Sequence, residues 1–164
     1  MRMTEESYES MNKLIASCFD ANSVIDNLAY NLDYFYFNEI ADVVHHKVAH
    51  AMPELADLIS DKMLELSARP VRLAIGEYKE EYSDPEKVFE RLYSTVKGLL
   101  EQTRSLISSS DMSGDDEVRI FAESFLERLS KYVKQCEEWI NAVKVIGPNK
   151  LNYHMKDYTH FILL

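Results

Sequence analysis

Between residues 67 and 82 the apolar periodicity that organises the rest of this chain lapses, and that one long gap constrains the fold more than any motif does. On either side of it apolar residues recur at steps of three and four, the spacing that gathers them on one face of an α-helix. The first such stretch, residues 4–30, carries Tyr8, Met11, Ile15, Cys18 and Ile25, with Leu32 just beyond and one interruption at Asn22. Thr4 ahead of Glu5 and Glu6 supplies a capping side chain and acids where the helix dipole favours them. The run Tyr34-Phe35-Tyr36-Phe37 breaks the period and marks the first turn. The second stretch, residues 37–66, carries Ile40, Val44, Val48, Leu55, Ile59 and Met63. Pro53 lies inside it and predicts a kink, because proline lacks a donor and crowds the preceding turn.

After the gap, in which residues 73–82 allow a short helix, Asp84-Pro85 reads as a cap followed by proline at the first helical position. Phe89, Leu92, Val96, Leu99, Thr103 and Leu106 carry the third helix, and the polar segment 108–114 reads as a turn. The fourth helix, residues 115–145, turns Val118, Phe121, Phe125, Tyr132, Cys136, Trp139 and Val143 inward and stops at Gly147-Pro148. Four helices with one apolar stripe each predict an all-α, antiparallel four-helix bundle. A plain up-down bundle needs three short loops, so the gap places a long crossover between helices 2 and 3. The bundle is expected over residues 1–147. The tail, residues 148–164, ends Phe161-Ile-Leu-Leu164 and is apolar enough to dock on the bundle or a neighbouring subunit.

Charge narrows the function. The chain has 18 Lys and Arg against 28 Asp and Glu, a net charge of −10, and no basic arm. Phosphate neutralisation supplies most nucleic-acid affinity, so no nucleic-acid partner is expected, whereas an acidic surface attracts cations. No stretch approaches 18 apolar residues and no apolar leader opens the chain, so no membrane partner is expected and the cytoplasm is the expected compartment. Cys18 and Cys136 sit in apolar stripes and read as reduced core residues. Signatures of Ser/His/Asp catalysis, glycine-rich phosphate loops and CxxC redox pairs are absent from the sequence.

The one cluster of histidines with acid is Asp42, His45, His46 and His50 on the second helix, with Glu39 one turn earlier. Two readings stand for it: a solvated helix face, or a metal site. Imidazole with carboxylate suits iron, zinc or manganese and does not choose among them. His46 and His50, four residues apart, also allow a small zinc-type site by themselves. Asp57 and Asp61 read as surface acids or as further ligands, and His154 and His160 as packing or surface residues.

Several stretches resemble one family. Asp57-Leu-Ile-Ser-Asp61-Lys, then Leu66-Ser-Ala-Arg-Pro70 and Glu77-Tyr78, is similar to the Asp-x-Ile-Ala-Glu-Arg, Leu-Gly-x-x-Pro and Glu-Tyr of the Dps proteins, the iron-sequestering branch of the ferritin superfamily named for DNA protection during starvation. Gly114-Asp115-Asp116 and Glu138-Trp139-Ile-Asn-Ala142 resemble the start and end of that family's last helix. The resemblance implies a ferritin-like bundle that sequesters iron. It also implies ferroxidase activity using O₂ or H₂O₂, and a homo-oligomer built from two-fold dimers, a dodecamer in the family.

In that family the iron site lies between two subunits. By position, its first histidine falls on Tyr30, its next pair on Asp42 and His46, and its last pair on Asp57 and Asp61. This chain thus has Tyr for one His, the order of His and Asp reversed, and Asp for Glu. The spacing agrees with shared ligation: each pair is four apart and faces one way, while eleven residues separate His46 from Asp57, about 16 Å along a helix. No single ion reaches both pairs within one chain, but an antiparallel second copy would bring them together twice. The superfamily's other site, Glu and Glu-x-x-His turned into the bundle, is not visible, and helices 3 and 4 contain no histidine. The alternative to iron sequestration is a bundle without metal chemistry, serving as a structural or interaction module.

Overall fold

The structure, a computed structural model, describes residues 1–159; His160 and the apolar close at 161–164 lie outside the described residues. The chain forms the expected all-α bundle, and the described residues contain no strand. Helix α1 spans Glu5–Tyr34, α2 Asn38–Val43, α3 Ala51–Glu65, α4 Pro85–Ser113, α5 Asp116–Ile146 and α6 Pro148–Tyr153, with a 3₁₀ turn at Met155–Tyr158. Thr4 caps α1 by accepting from Ser7 N at 3.2 Å, and Asp84 caps α4 by accepting from Glu86 N at 2.9 Å. One continuous core fills the bundle, with Trp139, Phe89, Phe125, Met11 and Met52 fully buried at its centre.

Contacts at the two ends fix the topology. At one end the turn between α4 and α5 meets the start of α1, where Asp115 Oδ2 accepts from Thr4 N at 2.9 Å, Thr4 Oγ1 at 2.7 Å and Ser7 Oγ at 2.6 Å. The end of α3 is there too, because Arg2 N donates to the Leu66 carbonyl at 2.7 Å. At the other end Phe37 meets Phe89 edge to face, ring centroids 5.7 Å apart, and Asn152 Nδ2 donates to the Tyr36 carbonyl at 2.9 Å. Helices α3 and α4 therefore run in the same direction, and the chain between them returns along the whole bundle. Side chains of α1 hold that return: Tyr8 donates to the Arg69 carbonyl at 2.8 Å, Asn12 Oδ1 accepts from Val71 N at 2.9 Å, and Asn31 brackets Glu80 and Tyr82 at 3.2 Å.

Three sequence expectations are corrected. The short helix at residues 73–82 does not form; the crossover carries no helix between residues 68 and 84. A 30-residue helix is about 45 Å long, and 18 residues that include a ten-residue helix reach only about 41 Å. The segment 108–113 is helix rather than turn, since α4 runs to Ser113 and is capped by Gly114 at φ 74°. Its serines stay helical by folding back: Ser110 Oγ donates to the Leu106 carbonyl at 2.6 Å and Ser113 Oγ to the Ser110 carbonyl at 3.3 Å. The third correction concerns the second helix. It is not one helix kinked at Pro53; a π turn, Val44–Ala49, joins α2 to α3. Pro53 sits in the first turn of α3, where a missing donor is tolerated. Beyond α5 the tail packs on the bundle as far as described, with Leu151 buried and Trp139 Nε1 donating to the Tyr158 carbonyl at 2.8 Å.

Candidate metal-binding face

The π turn follows from the spacing of the apolar residues. Ile40, Val44, Val48 and Met52 are all buried and lie four apart three times in succession. At 3.6 residues per turn each such step overshoots by about 40°, so a regular α-helix would swing Met52 roughly 120° away from Ile40. One wider turn, closed by His50 N donating to the His45 carbonyl at 3.2 Å, keeps all four on the core. The same turn governs the histidines. Residues five apart lie about 140° apart around a regular α-helix, yet here His45 and His50 share a face, with ring centroids 4.6 Å apart.

His46 lies against both, at 4.5 Å from His45 and 5.3 Å from His50. One nitrogen of each of the three rings falls within 4.8 Å of the others, the one group of three or more candidate ligands among the described residues. Carboxylates flank it. Asp26 Oδ1, on α1, lies 2.8 Å from Nδ1 of half-buried His45, and Asp42 lies 3.3 Å from His46 Nε2 on the exposed face. Tyr30 stands at the edge, its ring 6.4 Å from that of His45.

The remaining candidates are placed as follows. Asp42 and His46 adjoin, as their spacing predicts. Glu39 is half-buried in the first turn of α2. Asp57 and Asp61 are exposed on α3, and among the described residues no group of candidate ligands joins them to Asp42 and His46. Asp57 borders a hollow of about 240 Å³ shared with Ser60, Val71 and Arg72, whose guanidinium stacks on Phe19 at 3.4 Å. Asp26 carries no local sequence signal, because it lies 19 residues before His45 on another helix.

Among the described residues, the bundle interior offers a metal nothing comparable. Its buried polar side chains are Ser7, Asn12, Thr103, Ser110 and Gln135, with no carboxylate and no imidazole among them. A di-iron centre needs several carboxylates turned inward, so the residues present do not fit one. Cys18 and Cys136 are buried free thiols, and burial pushes Cys18 up to about 12 and Cys136 higher still. Both are therefore protonated thiols at neutral pH. No described helix is long and apolar enough to cross a membrane.

The ferritin family profile, described as a ferritin-like domain, matches residues 8–146. The chain belongs to the ferritin-like family. Among solved structures it is similar to an open-pore ferritin from the hyperthermophilic archaeon Archaeoglobus fulgidus, with 16% identity, a TM-score of 0.85, and 97% of this chain and 98% of that one covered. A closed form of the Archaeoglobus fulgidus ferritin engineered by site-directed mutagenesis matches with 16% identity and a TM-score of 0.84 over 97% and 98%. A humanized archaeal ferritin matches with 15% identity and a TM-score of 0.84 over 97% of each chain. None of the curated proteins matches in sequence.

Proposed function

We propose that this chain sequesters iron as a Dps-like homo-oligomer, taking up Fe(II) on the outer face of its second helix rather than inside its bundle. The observation that carries this reading is a contrast. The buried polar set contains no carboxylate or imidazole, while the exposed pair Asp42 and His46 stands 3.3 Å apart and ready to share an ion. Asp57 and Asp61 of a second copy, antiparallel across a two-fold axis, complete the ligand set; Tyr30 and Glu39 border it. Iron is here the cargo. Oxidation by O₂ or H₂O₂ at such a face needs no inward carboxylates, and Tyr, reversed His and Asp, and Asp for Glu tune its rate.

Anaerobic Fe(II) titration tests the reading. Wild type should bind iron in proportion to chain, and Asp42→Ala and His46→Ala should each lose it while keeping the helical circular dichroism of the fold. Iron bound equally by both variants would remove the face from the account. The second reading, an interaction module without metal chemistry, is favoured by Arg72, which brings a positive charge to the hollow beside Asp57. Absence of iron binding by wild type would overturn the iron reading.

A further inference from the structure

We infer that His45, His46 and His50 form a tri-imidazole site, complete within one chain, for a borderline divalent transition metal such as zinc. The trio shares His46 with the iron face but does not rest on it, because it needs neither a second copy nor Asp57 and Asp61.

Three observations converge. The π turn stacks residues that a regular helix would splay apart, bringing three imidazoles together with centroids 4.5, 4.6 and 5.3 Å apart. Their candidate ligand nitrogens lie within 4.8 Å of one another, and Zn–N bonds of about 2.1 Å in a tetrahedron need nitrogens roughly 3.4 Å apart. Rotation of the exposed rings of His46 and His50 closes that difference.

The second observation is the carboxylates. Metal-bound histidines characteristically give their other ring proton to a carboxylate, which fixes tautomer and orientation. With Nδ1–H of His45 donating to Asp26 Oδ1 at 2.8 Å, Nε2 keeps its lone pair; with Nε2–H of His46 turned to Asp42 Oδ1 at 3.3 Å, Nδ1 keeps its own. A purely structural link between α1 and the π turn would need Asp26 and His45 alone, and gives no reason for two further imidazoles over the same turn.

The third is the donor chemistry. Three neutral nitrogens select zinc, cobalt, nickel or copper over magnesium and calcium, which prefer oxygen. Three protein ligands leave a fourth position for water or an external donor, as in open zinc sites.

The test uses the full chain stripped of metal with a chelator and titrated first with Co(II), followed by its visible ligand-field bands, then with Zn(II) by calorimetry. Wild type should take one ion per chain and show four-coordinate cobalt bands that zinc displaces. His45→Ala and His50→Ala should each lose at least tenfold in affinity with the fold retained by circular dichroism. Asp26→Asn should weaken binding by about 10- to 100-fold, the usual cost of losing an outer carboxylate. His154→Ala, which removes an exposed imidazole elsewhere, should bind as wild type. No cobalt bands in wild type, or wild-type affinity in His50→Ala, would overturn the site. Iron uptake on the same samples separates the two readings. His45→Ala should lose zinc yet keep iron, and a wild type that binds zinc but no iron overturns the iron reading alone.

Discussion

Asn22 Nδ2 donates to the Ala49 carbonyl at 2.8 Å, across from α1 to the last residue of the π turn. In an unbroken helix that carbonyl would accept from residue 53, but residue 53 is proline and has no N–H. The one polar interruption in the first apolar stripe therefore supplies the donor that Pro53 withholds. Asn22→Ala should cost about 1 kcal/mol in urea unfolding, the net value of a typical intramolecular hydrogen bond. Pro53→Ala should restore a backbone donor and shrink that cost. Additive effects of the two substitutions would contradict the pairing.

Asp115 gathers three hydrogen bonds at the start of α1. Burial raises its carboxyl, but the bonds from Ser7 and Thr4 outweigh it and hold the group below its ordinary value. A lowered folded value means that the stabilisation is complete above the ordinary carboxylate range and is lost as pH falls through the folded value. Asp115→Ala should therefore destabilise by about 2 kcal/mol near pH 7, with the gap to wild type closing as acid unfolding is approached. A gap that stays constant down to pH 3 would exclude the carboxylate as its source.

Gln135 is fully buried on α5, and neither amide atom has a hydrogen-bond partner among the described residues. An unpaired buried amide costs more than an apolar side chain of similar size. Gln135→Met should raise stability by about 1 kcal/mol and leave Fe(II) binding unchanged, since the interior is packing rather than a metal chamber. Loss of iron in this variant would mean that the interior takes part after all.

Burial raises both thiols, Cys18 and Cys136, so both stay protonated and shielded. Neither should react with a thiol reagent in the folded protein at pH 8, and both should react in urea. Rapid modification of either in the native state would contradict a closed core around them.

The apolar stripes, the caps and the crossover were legible in sequence because each rests on local chemistry: a period of 3.6, Asp84 before Pro85, Gly147 before Pro148. Less legible was anything that depends on which residues meet across the bundle. Pro53 signals a break in the second helix but not its place. The position is carried by Ile40, Val44, Val48 and Met52, whose repeated steps of four no regular helix can bury together. Asp42 beside His46 follows from spacing alone. Asp26 beside His45 does not, because it requires α1 and the π turn to be packed. Residues 73–82 look helical locally and form no helix because the return path is long.

If iron is held between two copies on the second-helix face, mixing two defective chains must restore part of it. His46→Ala and Asp57→Ala each spoil every site in their own homo-oligomer, since each site takes one pair from each copy. A heterodimer of the two concentrates both defects in one site and leaves the other whole. Iron per chain, measured after the two variants are unfolded, mixed and refolded, should rise from near zero in each parent toward about a quarter of the wild-type value, the yield of random pairing at a two-fold site. Wild-type stoichiometry in either parent, or no recovery in a mixture shown by mass to contain heterodimers, would contradict it.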